Sequence, residues 1–196
     1  MQDLTRKLLG NSIATFQRVV ADDALISSLN SAAELIAKAM GSGHKLLIAG
    51  NGGSAADAQH LAAEFVVRLT VDRPALRAVA LTTDSSILTA IGNDYIYDSV
   101  FSRQIEAIGL PGDVFLAIST SGNSRNMLNA CTVARSLGLS TIGFTGNGGG
   151  QMSALCDLNI VIPSDVTMNI QECHLALEHI LCTLVERHIF GADFGN

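Results

Sequence analysis

Two titratable side chains stand at a spacing that suits proton transfer, His60 and Glu64, four residues apart; His179, far downstream, is a third titratable group that a plain surface or core role accounts for less well. On a helix, positions i and i+4 share a face about 6 Å apart along the axis, so His60 and Glu64 can reach one small site. A carboxylate beside an imidazole is the equipment of general acid and base catalysis. Both lie in an apolar stretch, Leu61-Ala62-Ala63 and Phe65-Val66, where ionisable groups need a reason. They do not form a metalloprotease motif, because the second histidine of H-E-x-x-H is missing. His44, His174 and His188 read as surface or satisfied core residues. Gln171 and His179, eight residues apart, would be roughly 12 Å from each other along a straight helix, with directions about 80° apart. One metal ion touches both only if both side chains stretch, or if one comes from another subunit.

Two segments could hold an anion. Gly50-Asn51-Gly52-Gly53-Ser54 follows an apolar run and opens a helical pattern, so its backbone can approach a ligand while free N–H groups and the helix dipole face it. Alone, it reads equally as a plain strand-to-helix turn with Ser54 as N-cap. It is neither G-x-G-x-x-G nor a P-loop, so neither a dinucleotide nor a nucleoside triphosphate is implied. Ser119-Thr120-Ser121-Gly122-Asn123-Ser124 places four hydroxyls in six residues at the end of another apolar run. That exceeds what a helix cap uses and reads as a phosphate cradle without a lysine. Asn147-Gly148-Gly149-Gly150 has no hydroxyl cluster and reads as a turn.

The elements that position these residues follow from periodicity. Leu4, Leu8, Ile13, Phe16 and Val20, then Leu25, Leu29, Ala32, Ile36 and Met40, predict two helices broken at Asp22-Asp23. Short apolar runs at Leu46–Ala49, Ala78–Leu81, Val114–Ile118, Thr141–Phe144 and Leu158–Ile162 alternate with helical stretches, and a last helix spans about Thr167 to Phe190. Strand alternating with helix predicts an α/β protein with a parallel sheet covered on both faces, its ligand crevice at the glycine-rich strand ends.

Composition narrows the function. With 196 residues, 48% of them hydrophobic, the chain can bury one sizeable core. A net charge of −6 and the lack of a Lys/Arg cluster argue against direct nucleic-acid binding. No apolar run approaches the ~20 residues of a membrane span, and the N-terminus lacks a continuous signal core, so the reading is cytoplasmic. Cys131, Cys156, Cys173 and Cys182 form no C-x-x-C pair and read as free buried thiols. The mean hydropathy of +0.35 suggests apolar surface covered by another copy of the chain.

Gly50 to His60, Ile91-Gly92-Asn93-Asp94, Ser119 to Ser124 and Ile170-Gln171-Glu172, in that order, resemble the SIS-domain phosphoheptose isomerases over nearly the whole chain. The resemblance implies a single SIS domain over residues 1–196, a three-layer doubly wound fold with a central five-stranded parallel sheet. Its helical segment 1–43 would be used in oligomer packing. It implies a homotetramer with sites at subunit interfaces, converting sedoheptulose 7-phosphate to D-glycero-D-manno-heptose 7-phosphate, the heptose precursor of lipopolysaccharide. Glu64 would be the base and His179 its acid partner. Ser119, Thr120, Ser121 and Ser124 match the phosphate loop, and Asn51, Gly52, Gly53, Asn93, Asp94 and Gln171 match other substrate contacts. Some members hold zinc through residues matching His60, Glu64, Gln171 and His179, a donor set zinc accepts. One departure is Asn169, where the family carries Arg or Lys, which bears on substrate affinity or an intersubunit contact. The alternative is a close relative, the initiator-associating SIS protein, which binds DnaA as a tetramer without isomerase activity. It lacks side chains matching Glu64 and His179, so their presence favours the enzyme.

Overall fold

Asp22 separates the two N-terminal helices. Helix α1 (Gln2–Val20) stops at Ala21, and the Asp22 carboxylate accepts a hydrogen bond from Leu25 N at 3.0 Å to start α2 (Asp23–Gly41). Such a cap satisfies a donor that the first turn leaves open and contributes about 1 kcal/mol. The computed structural model describes residues 1–195. In it α2 buries Leu25, Leu29, Ala32, Ala33 and Ile36 at helical spacing. The apolar stripe of α1 behaves differently: Thr15 and Val19 are buried, while Leu4, Leu8, Leu9 and Ile13 are exposed.

Strands β1 (Leu46–Gly50), β2 (Ala78–Ala80), β3 (Val114–Ser119), β4 (Ser140–Thr145) and β5 (Leu158–Val161) form one parallel sheet in the order β2-β1-β3-β4-β5. The remaining helices are α3 (Gly53–Val66), α4 (Ser85–Asp94), α5 (Ser102–Ile108), α6 (Arg125–Ser136) and α7 (Thr167–Phe190). Side chains alternate between faces along each strand. Leu46, Ile48, Leu116 and Ile118 therefore join a core with Ala33 and Ile36 of α2, Leu61 and Phe65 of α3, and Leu177 and Leu181 of α7. Leu47, Ala49, Phe115 and Ala117 join the opposite core with Ile105 of α5 and Met127 and Ala134 of α6. Burial on both faces explains why β1 and β3 read as unbroken apolar runs.

The chain leaves β1 towards β2 at one edge and later crosses back to β3 on the other side of β1. Loops following β1 and β3 thus diverge, and a crevice opens at this switch point. All four cysteines are buried and free. Among the described residues no helix is long and apolar enough to cross a membrane.

Candidate active site

The crevice is a cleft of about 250 Å³ lined by Asn51, Gly53, Ser54, Ile118, Ser119, Thr120, Ser124, Thr167 and Gln171. Three helices begin at its wall: α3 at Gly53, α6 after Ser124, and α7 at Thr167. First-turn N–H groups lack intrahelical partners, and each helix carries roughly half a positive charge at that end. Among the described residues no Lys or Arg lines the cleft, so an anion entering it would meet helix ends and hydroxyls. Ser124 is the N-cap of α6, yet its side chain accepts nothing from its own helix. Its Oγ instead stands 3.3 Å from Ser119 Oγ, leaving the pair for a ligand.

The turn into α3 corrects one expectation. Gly52, not Ser54, is the N-cap, with φ at +57°, a conformation that favours glycine. Ser54 is already inside the helix and buried, its N–H donating to Asn51 O at 3.0 Å. The Asn51 and Asn126 amides exchange hydrogen bonds at 3.0 and 2.8 Å, joining the loop after β1 to helix α6. Tyr97 donates its hydroxyl to Asn51 Oδ1 at 3.3 Å. Asn126, Tyr97 and Thr167 carry no motif in the sequence; only a polar side chain in the first turn of a helix hints at Asn126 and Thr167.

The glycine run after β4 is more than a turn. Gly122 has φ at +62°, and a Cβ there would lie 2.0 Å from Gly149 O. Met152 N donates to Gly122 O at 3.0 Å, and Gly146 N to Thr120 O at 3.1 Å. Gly148, Gly149 and Gly150 all have positive φ, which lets this backbone lie directly against the cradle.

Of the expected substrate contacts, Asn51, Gly53, Ser119, Thr120, Ser124 and Gln171 line the cleft. Gly52 and Ser121 flank it, Ser121 Oγ accepting from Asn123 N at 3.2 Å. Asn93 and Asp94 are exposed at the end of α4 and hydrogen-bond to each other at 2.7 Å. Asn169 is buried and donates to Ser12 Oγ at 3.1 Å and Glu172 Oε2 at 3.2 Å. In place of a basic group at the site, this position ties α7 to α1.

The acid and base candidates lie farther along α3 and α7. His60 follows Gly53 by seven residues, about 10 Å along the helix. His60 Nε2 is 2.7 Å from His179 Nε2, and Glu64 Oε1 is 3.7 Å from His60 Nδ1. One ring donates and the other accepts, according to tautomer; a carboxylate facing Nδ1 favours a proton there on His60, with His179 then the donor from Nε2. Beneath them Glu178 is fully buried, with neither oxygen hydrogen-bonded. Burial, reinforced by the charge of Asp57, raises its carboxyl pKa to about 8. Burial also raises Asp57, with His60 opposing.

The zinc donor set is only partly assembled. Two zinc ligands at ~2.0 Å on a tetrahedron stand ~3.3 Å apart, so the His60–His179 nitrogens need to separate only slightly. Glu64 faces the other ring nitrogen of His60, and Gln171 rests against Gly53, where a Cβ would lie 2.2 Å from Gln171 Nε2. Among the described residues no three His, Cys, Asp or Glu side chains gather as a metal site.

Comparison with known proteins gives a consistent result. The SIS domain family model matches residues 10–146. A phosphoheptose isomerase of Burkholderia pseudomallei is 53% identical over 195 residues, covering 97% of this chain and 99% of that protein. One from Trichlorobacter lovleyi is 50% identical over 195 residues, covering 100% of this chain and 98% of its own. The structure of phosphoheptose isomerase GmhA from Neisseria gonorrhoeae superposes with a TM-score of 0.89 at 41% identity, over 94% of this chain and 98% of that one. With the family match and these identities along nearly its full length, the chain belongs to the phosphoheptose isomerases of the SIS-domain family.

Proposed function

We propose that this sugar-phosphate isomerase interconverts sedoheptulose 7-phosphate and D-glycero-D-manno-heptose 7-phosphate, a heptose precursor of lipopolysaccharide, through an enediol. The observation that carries this is the convergence of three helix N-termini and the Ser119–Ser124 hydroxyl pair on a cleft without a cation, beside helices that carry Glu64, His60 and His179. The phosphate takes N–H groups of the helix ends and the hydroxyls of Ser119, Thr120 and Ser124. Glu64 removes the proton from the carbon next to the carbonyl and returns it to the neighbouring carbon. His179 moves protons on the two oxygens while His60 fixes its tautomer.

Zinc held by His60, Glu64, Gln171 and His179 would polarise the carbonyl and enediolate oxygens. The facing histidine nitrogens support this; elemental analysis of protein purified without chelator, showing no zinc, together with no gain on adding it, would remove the ion from the scheme. The assembly we propose is a homotetramer, supported by exposed Leu4, Leu8, Leu9 and Ile13 on α1 and Tyr95, Ile96 and Tyr97 after α4. Light scattering tests it against the 20.5 kDa of one chain.

The functional test is isomerisation of sedoheptulose 7-phosphate by wild type beside Glu64→Gln. Turnover that disappears in the variant supports the isomerase and its base. Absence of turnover in folded wild type, with and without zinc, overturns the reading.

A further inference from the structure

Arg73 lies between α3 and β2, outside every motif, and its side chain has no exposed surface. It makes four hydrogen bonds. Nε donates to Glu186 Oε1 at 2.7 Å, Nη1 to Phe65 O at 2.7 Å and Pro74 O at 3.1 Å, and Nη2 to Glu64 O at 2.7 Å. Helix α3 ends at Val66, and Val67 leaves helical geometry at φ −93°, ψ −83°. The carbonyls of Glu64 and Phe65 therefore belong to the last turn, whose acceptors have no intrahelical donor. Arg73 supplies that donor at the backbone of the residue read as the base.

Glu186, the other end of the clamp, stands seven residues after His179 on α7, hence on the same face two turns later. Two links thus join α3 to α7 at successive levels: His60 to His179, then the Glu64 backbone through Arg73 to Glu186. Stability alone does not call for the second link, since well-packed apolar residues commonly replace a buried ion pair without loss. A planar guanidinium fork that meets a carboxylate and three carbonyls in fixed directions is suited to orientation.

We propose that Arg73 is a positioning residue for catalysis: by locking the last turn of α3 against Glu186, it sets the place of the Glu64 carboxylate relative to substrate. The proposal rests on Glu64 being the base.

The test uses Arg73→Met/Glu186→Leu, which removes both charges at similar volume, and Arg73→Lys, which keeps a charge but loses the fork. For each, kcat and KM for sedoheptulose 7-phosphate are measured with the inhibition constant of inorganic phosphate. Misplacement of a reacting group by about 1 Å costs about 100-fold, so kcat in the double variant falls by about that factor. KM and phosphate inhibition stay within about twofold, because the cleft does not contact Arg73. Arg73→Lys shows the same split at smaller size, and it decides the matter alone if the double variant does not fold. An unchanged kcat, or a loss shared equally by KM and phosphate inhibition, overturns the proposal. Glu64→Gln run in parallel separates the two readings: if it turns over as wild type does, the base assignment has failed, whatever the Arg73 variants do.

Discussion

His60 and His179, 119 positions apart in the chain, face each other through their Nε2 atoms at 2.7 Å. Their rings meet edge to face at 78°, with centroids 5.0 Å apart. Only one of the two nitrogens can carry the proton in a hydrogen bond, so each ring determines the tautomer of the other. Glu64, on the far side of His60, biases that choice. With His60 protonated on Nδ1 and His179 on Nε2, the row from carboxylate through two imidazoles leaves Nδ1 of His179 as its free acceptor.

His179→Ala is expected to lower kcat by about 10²- to 10⁴-fold, the usual contribution of a positioned acid–base group. Steady-state kinetics check this. A loss confined to KM, with kcat intact, would make His179 a binding residue instead.

Ser119→Ala and Ser124→Ala should each raise KM and the phosphate inhibition constant by about 10-fold or more, since a hydrogen bond to a charged group contributes about 1.5–3 kcal/mol. Their kcat should stay near that of wild type. Inhibition by inorganic phosphate isolates this effect from the sugar, and unchanged values in both variants would place the phosphate elsewhere.

Two glycines should respond differently to alanine. At Gly53 the added methyl meets the flexible end of Gln171, so Gly53→Ala displaces that side chain and weakens substrate binding in a folded protein. At Gly122 it meets the Gly149 backbone, and the positive φ adds strain, so Gly122→Ala costs on the order of 1–3 kcal/mol and disrupts the cradle. Thermal melts with phosphate titration distinguish the two. Equal melting points for both variants would contradict the close approach at Gly122.

Glu178→Gln should stabilise the protein increasingly as pH rises. The folded carboxyl titrates at about 8 against 4.5 for a free one, so between those values the native state holds more protons than the unfolded chain. Stability is thus undiminished below pH 4.5 and declines as pH rises towards 8. A neutral amide escapes this decline and gains a few kcal/mol at pH 8 at about 1.4 kcal/mol per unit. Melting points of both proteins at pH 5 and pH 8 check this; a difference independent of pH would mean that Glu178 finds a partner for its charge.

The sequence by itself determined the alternation of strand and helix, the bounds of α7, and the hydroxyl-bearing turn from Ser119 to Ser124. These are local properties: side-chain period selects helix or strand, and short polar residues at a strand end form a turn. It also determined that His60 and Glu64 share a helical face, because their spacing is fixed by one helix. It could not say that Gly52 rather than Ser54 caps α3, or that the apolar stripe of α1 faces outward, since these depend on what packs alongside. Other features required folding to bring distant segments together: Asn51 to Asn126 across 75 positions, Arg73 to Glu186 across 113, and the glycine run after β4 against Gly122. Neither partner in such a pair has a local pattern that names the other. Tertiary structure alone decided those pairings, because parallel strands joined through long crossovers place residues side by side that no short-range periodicity connects.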